Sequence, residues 1–235
     1  MSSQKHTKAV NEIAASQMGL FTTAQAERFG VSRNVIAYMA KVSKVERLEQ
    51  GVYRIAGMPF DEKQGIYAVW LSTNPELMAY ERSANFDGIV VGGRSAVACY
   101  GIGDFFLSPY RFLVRNRINS KRQNMTFTIS KVNESDIVRL DGGLPVTSVT
   151  RTLYDLAMDY DDPFQIEQII YDTIKNNLPL NVERLLELKA EKSRRGRYDF
   201  SDIIASAEKL RSGNELSNSS SNRKCHKGSG ETVIT

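Results

Sequence analysis

An α+β fold is predicted for this chain by three observations. Residues 1–57 hold short helical segments punctuated by a single glycine, then two strand-like runs joined by a tight turn. Residues 110–130 alternate apolar and polar side chains at the period of a strand, and residues 148–210 return to helical spacing. Three regions follow: 1–57, a larger mixed α/β domain over 58–211, and a disordered tail over 212–235.

In "FTTAQAERFGVSRNVIAYMAKV" (21–42), Thr22 stands three residues before Gln25, the spacing of a capping box, and Phe21 precedes it as a staple. The helix that begins at 23 ends at Gly30, which accepts the left-handed backbone that closes a helix. Ser32 then caps a second helix. Its inward positions are Val35, Ile36, Met39, Ala40 and Val42; Arg33, Asn34, Ala37, Tyr38 and Lys41 face outward. "VERLEQGVYRIAG" (45–57) follows as strand, turn at Glu49-Gln50-Gly51 and strand, which makes a wing.

The next region begins after the Gly and Pro of "AGMPFDEK" (56–63). "DEKQGIYAVWLST" (61–73) has helical spacing with Ile66, Val69 and Trp70 on one side, and "RSAVACYGI" (94–102) reads as a helix capped by Ser95. In "YRFLVRNRI" (110–118), Arg111, Arg115 and Arg117 share one face, with Phe112 and Val114 on the other. "MTFTIS" (125–130) places Met125, Phe127 and Ile129 together, and "NSKRQN" would join the two strands into a β-hairpin with a basic tip. Helices are expected over about 148–158, after the Asp162 cap with Pro163 in the first turn, and in "NVERLLELKAEK" and "DFSDIIASAEKL". From Ser212 the chain is rich in Ser, Asn and Gly with little to bury.

Charge sharpens the reading of residues 1–57. Eight basic side chains stand against Glu12, Glu27, Glu46 and Glu49, a net +4 that equals the formal charge of the whole chain. A second basic run, 108–124, carries five cations and no acid. Such surfaces suit a polyanion. A helical hairpin could equally serve only to build a core. The short glycine turn, the wing and the outward Arg and Asn favour a winged helix-turn-helix that reads double-stranded DNA. Arginine and asparagine suit bidentate contacts with guanine and adenine. Arg33 and Asn34 are thus the expected base readers, with Thr23, Ser32, Tyr38, Lys41 and Arg47 on the backbone. Arg111, Arg115, Arg117, Lys121 and Arg122, with Arg151, form a candidate second basic surface. A solvated face, or an Arg151–Asp155 ion pair at i+4, explains the same residues.

"GLFTTAQAERFGVSRNVIAYMAKVSKVERLEQGVYRIAG" (19–57) resembles the N-terminal domain of AbiEi-type antitoxins of type IV toxin–antitoxin systems, which are linked to phage defence. "GRSAVACYGI" (93–102) resembles that family's small-residue helix. "GGLPVTSVTRTLYDLA" (142–157) is similar to its second-domain signature through Pro145, Thr147, Ser148, Arg151, Thr152, Leu153 and Asp155. The resemblance implies a repressor of its own promoter that binds inverted repeats. It also implies neutralisation of a nucleotidyltransferase toxin without a stable complex.

No catalytic centre, metal site or cofactor is expected. Glu187-Leu188-Lys189 fits half of a nuclease motif but lies on a helical period, whereas such a site needs its carboxylate and lysine on a strand. Asp155, Asp159, Asp161 and Asp162 are explained by helix capping and a solvated face. "VVGGRSA" (90–96) lacks the Lys-Ser/Thr ending of a phosphate loop. His6 and His226 lie near the ends, and Cys99 reads as a core residue. Two cysteines, no leader-like segment and no long apolar run point to the cytoplasm, away from a membrane. The absence of a heptad favours monomers that meet on adjacent half-sites. An alternative is a protein- or RNA-binding module with an accessory winged helix; a DNA nuclease is the remaining one.

Overall fold

The computed structural model describes residues 2–120, 122–159 and 162–191, with the single positions 201, 205 and 209. Contacts divide the chain into two compact units. The first comprises Met1–Gly101 and Phe105–Ser148; the second comprises Ile102–Asp104 and the residues from Val149 onward.

The first unit opens with α1 (Ser2–Ala15), β1 (Leu20–Thr22), α2 (Thr23–Arg28), α3 (Arg33–Lys41), β2 (Val45–Glu49) and β3 (Val52–Ile55). The three strands form an antiparallel sheet in the order β1-β3-β2. Helix, strand, two helices and a two-stranded wing complete the winged helix-turn-helix. Its core gathers Val10, Ile13, Phe21, Ala26, Val31, Ile36, Met39 and Val45. β1 is too short to show a period, so the sequence discloses Phe21 only as a staple.

The chain continues with α4 (Gln64–Thr73), α5 (Ala79–Ala84), β4 (Ile89–Val91), α6 (Gly93–Tyr100), β5 (Tyr110–Val114), β6 (Met125–Ile129), β7 (Ile137–Arg139) and β8 (Pro145–Thr147). These five strands form a mixed sheet in the order β6-β5-β4-β8-β7. Leu20 and Val52 of the winged module share one core cluster with Ile66, Trp70, Val91, Phe112 and Val146. The expected boundary at residue 57 therefore falls inside a continuous core, and the contacts divide after Ser148 instead.

Three expectations in this unit need correction. β5 and β6 are parallel, with Tyr110 opposite Met125 and Val114 opposite Ile129, so they form no hairpin. Alternation fixes which face a side chain takes but not the direction of the strand. A hairpin loop takes two to about five residues, whereas the connection 115–124 is long enough to run back to the start of the strand. Met125, Phe127 and Ile129 alternate onto one face of β6 as expected, with Ile129 at the strand end exposed. α4 is buried all round, from Ile66 through Leu71, rather than on one side. Ser95 does not cap α6, because Gly92 holds that position; the Ser95 hydroxyl instead donates to the Leu107 carbonyl and accepts from the Arg111 N–H.

The second unit holds α7 (Val149–Met158), α8 (Pro163–Lys175) and α9 (Val182–Glu191), with α8 and α9 both packed on α7. Asp162 caps α8 by accepting from the Phe164 N–H, with Pro163 in the first turn as expected. Glu187 lies on α9, a helix, which is not the strand a nuclease motif needs. Of "DFSDIIASAEKL", positions 201, 205 and 209 are helical and exposed; its other residues, and 212–235, lie outside the described residues. No helix among the described residues is long and apolar enough to cross a membrane.

Candidate nucleic-acid interface

α2 starts at a complete capping box: Thr22 accepts from the Gln25 N–H, and Gln25 accepts from the Thr22 N–H. The Gln25 amide does more than cap. Its Nε2 donates to Gln17 Oε1 and to the Leu77 carbonyl at 2.7 Å, while its Oε1 accepts from Gln17 Nε2 at 3.0 Å. Gln17 in turn donates to the Leu20 carbonyl and accepts from the Ala79 N–H. The two amides are fully buried, and every donor hydrogen and acceptor lone pair on them is used. They lock the turn after α1, the start of α2 and the segment leading into α5 into one arrangement.

A second tie is ionic. Arg28 makes a two-pronged contact with Glu81, both bonds 2.8 Å, and donates to the Glu76 carbonyl. The Arg28 fork, followed by the Met78 N–H, holds the Glu81 carboxyl at about 2, below its ordinary 4.5. Because the folded form binds that proton less readily than the unfolded chain, the stabilisation is complete above pH 4.5. It is lost as pH falls toward about 2. Arg28→Ala should therefore flatten the acid limb of the thermal midpoint plotted against pH; an unchanged slope over that window would contradict the pairing.

Between α2 and α3, Gly30 takes a positive φ of 76° with open space around it, which turns the chain tightly. Ser32 precedes α3 in extended conformation, but its hydroxyl makes no cap bond and stays exposed. Ile36 and Met39 are buried, with Val35 and Ala40 half-buried; Val42 is exposed, contrary to its expected inward place, because α3 ends at Lys41. Arg33, Asn34, Ala37, Tyr38 and Lys41 all face solvent, so the outward face stands as the sequence predicts. Tyr38 is 60% exposed, a large aromatic ring presented with no core to fill.

The remaining expected contacts are distributed differently. Thr23 is half-buried, and both its N–H and its hydroxyl donate to the Gly51 carbonyl, tying the start of α2 to the wing turn. Arg47 is exposed on β2, with Nε donating to the Glu49 carbonyl. The acids of the wing are compensated: Glu46 pairs with Arg54, and Glu49 pairs with Arg122 at 3.4 Å. The sequence shows those carboxylates but not the cations that offset them. Just past α3, Ser43 takes φ 56° and Lys44 is exposed.

The members of the second basic set differ in their surroundings. The Arg111 stem lies against Gly93, Arg115 sits 5.5 Å over the Phe86 ring, and Arg122 also bonds Ser72. Arg117 is exposed and bonds Asn119, and Lys121 lies outside the described residues. Arg151 is buried, its Nε shared at 3.0 Å between both oxygens of Asp155, so it presents no surface at all. Cys99 is buried in α6, and burial pushes its thiol up to about 12, the inert end of cysteine chemistry. Among the described residues, no group of His, Cys, Asp and Glu is placed to hold a metal ion.

Residues 8–56, the span from within α1 to the end of the wing, match the model of a family described as "Transcriptional regulator, AbiEi antitoxin". The crystal structure of the RV2827C protein from Mycobacterium tuberculosis is similar at 16% identity and a TM-score of 0.50. The match covers 86% of this chain and 74% of that one. At that identity the likeness concerns the fold. No curated protein matches the chain.

Proposed function

We propose that this chain, which carries an AbiEi-type regulator sequence in its winged module, is a sequence-specific DNA-binding repressor of its own operon and the antitoxin of a type IV toxin–antitoxin phage-defence pair. The observation that carries the DNA reading is the outward face of α3, where Arg33, Asn34, Tyr38 and Lys41 are exposed on a helix braced from behind. Arg33 and Asn34 lie in the first turn, where a recognition helix meets base edges in the major groove. Lys41, Ser32 and Arg47 hold the phosphates, and Thr23 acts from behind by fixing the wing turn. Inverted repeats in the promoter and a nucleotidyltransferase toxin, neutralised without a stable complex, complete the reading. These last elements are supported by the family match and by the motifs at 93–102 and 142–157.

Binding of the full chain to the DNA upstream of its own reading frame tests this. Arg33→Ala should cost roughly 1–3 kcal/mol and relax preference at one base pair, whereas Lys41→Ala weakens all duplexes alike. Equal binding by wild type and Arg33→Ala would remove Arg33 from the interface. Antitoxin activity is assayed separately, as rescue of cells expressing the toxin. The shared core makes deletion of residues 1–57 a poor instrument, since it would expose Ile66, Trp70 and Val91. The Arg33→Ala/Lys41→Ala double variant keeps the fold, and rescue that persists in it places antitoxin activity outside α3.

A further inference from the structure

We propose that Glu27 is a specificity-determining residue that positions Arg33 for guanine. The inference rests on the reading of α3 as the recognition helix. Glu27 is the penultimate residue of α2, and the Gly30 turn brings it across to the first residue of α3. Its Oε1 accepts from Arg33 Nε at 2.9 Å, an ion pair between two exposed side chains, 76% and 40% accessible.

The point of attachment decides what the pair can do. A guanidinium presents five N–H donors on a planar fork. A guanine in the major groove is read by two parallel donors directed at O6 and N7. Had Glu27 gripped the terminal Nη1 and Nη2 groups, it would occupy the donors that read the base. It holds Nε instead, and among the described residues neither terminal nitrogen has a bonding partner. The carboxylate therefore engages the side edge of the fork and leaves the end edge unengaged among the described residues.

An exposed ion pair of this kind contributes little to folding. Its value lies in pre-organisation: a long, flexible arginine enters the groove already limited to one orientation. Held this way, Arg33 meets guanine in one geometry and cannot swing to a neighbouring base or phosphate. Charge works in the same direction. An unpaired Glu27 would oppose the approach to a polyanion, and pairing with Nε offsets that repulsion.

The test uses the full chain and a library of randomised DNA duplexes, from which the wild type selects its preferred sequence. Binding is then measured to that duplex and to single base-pair variants of it, with Glu27→Ala, Glu27→Gln, Arg33→Ala and the Glu27→Ala/Arg33→Ala double variant. At the base pair whose preference Arg33→Ala relaxes, Glu27→Ala should lose roughly three- to tenfold of the discrimination, a part of what one bidentate contact supplies. Glu27→Gln, whose amide oxygen can still accept from Nε, should retain more of it. The double variant should discriminate no worse than Arg33→Ala alone. Discrimination unchanged in Glu27→Ala overturns the proposal, and so does a uniform gain in affinity for every duplex, which would make Glu27 only a repulsive charge. If Arg33→Ala itself relaxes no position, the recognition-helix reading has failed, and the proposal with it.

Discussion

Replacing Arg82 with methionine should lower the unfolding free energy by about 3–5 kcal/mol, the cost of removing one member of a buried ion pair. The Arg82 side chain is completely buried. Its Nε donates to Asp87 at 2.7 Å, its Nη1 to the Trp70 carbonyl at 2.6 Å and its Nη2 to Thr73 Oγ1 at 3.0 Å. The guanidinium carbon lies 3.9 Å from the centre of the Trp70 ring. Methionine restores the volume but leaves the Asp87 carboxylate with only the Ile89 N–H and no cation, while the Trp70 carbonyl keeps the Thr73 hydroxyl. Adding Asp87→Asn to Arg82→Met should recover part of the loss, because no charge is then stranded. Urea midpoints of the two single variants and the double provide the measurement; a loss below about 1 kcal/mol for Arg82→Met would mean that the network is not coupled to folding.

Gln25→Leu should be the next most damaging change, at about 3 kcal/mol. Each buried donor or acceptor left unmatched costs roughly 1–3 kcal/mol, and local rearrangement relieves part of it. The substitution strands one donor and one acceptor of Gln17, together with the Leu77 carbonyl and the Thr22 N–H. Because the same amide closes the α2 cap and locks α2 to the segment before α5, the variant should also bind DNA more weakly at temperatures where it is still folded. Thermal unfolding and a binding isotherm at the same low temperature separate the two effects. Full binding with a lowered midpoint would mean that α3 does not need α2 fixed from behind.

The winged module was legible because its signals are local. A cap three residues from its partner, one glycine and a 3.6-residue stripe fix α2 and α3. A Gly51 turn at φ 73° fixes the wing. The five-stranded sheet was mostly illegible. β4, β7 and β8 have three residues each, too few for a period, and β4 is buried throughout, so it shows no alternation. Parallel pairing of β5 and β6 is set by distant partners that no window of the sequence contains.

For the interface, sequence placed Arg33, Asn34, Tyr38 and Lys41 on an exposed face but could not place their partners. Glu27 on Arg33, Arg54 on Glu46 and Arg122 on Glu49 each join residues from separate elements. Arg151 illustrates the opposite case. A basic residue is ordinarily counted as surface, yet its pair with Asp155 one helical turn on buries it.

Methylation interference on the upstream DNA tests the central claim most directly, since dimethyl sulfate marks guanine N7 in the major groove, the atom an arginine fork reads. Methylation at a small set of guanines, repeated in each half-site, should block binding by the wild-type chain. In Arg33→Ala, interference should disappear at one guanine of each set and persist at the others. Binding indifferent to every guanine, or an interference pattern identical in Arg33→Ala, would contradict a recognition helix at Arg33–Lys41.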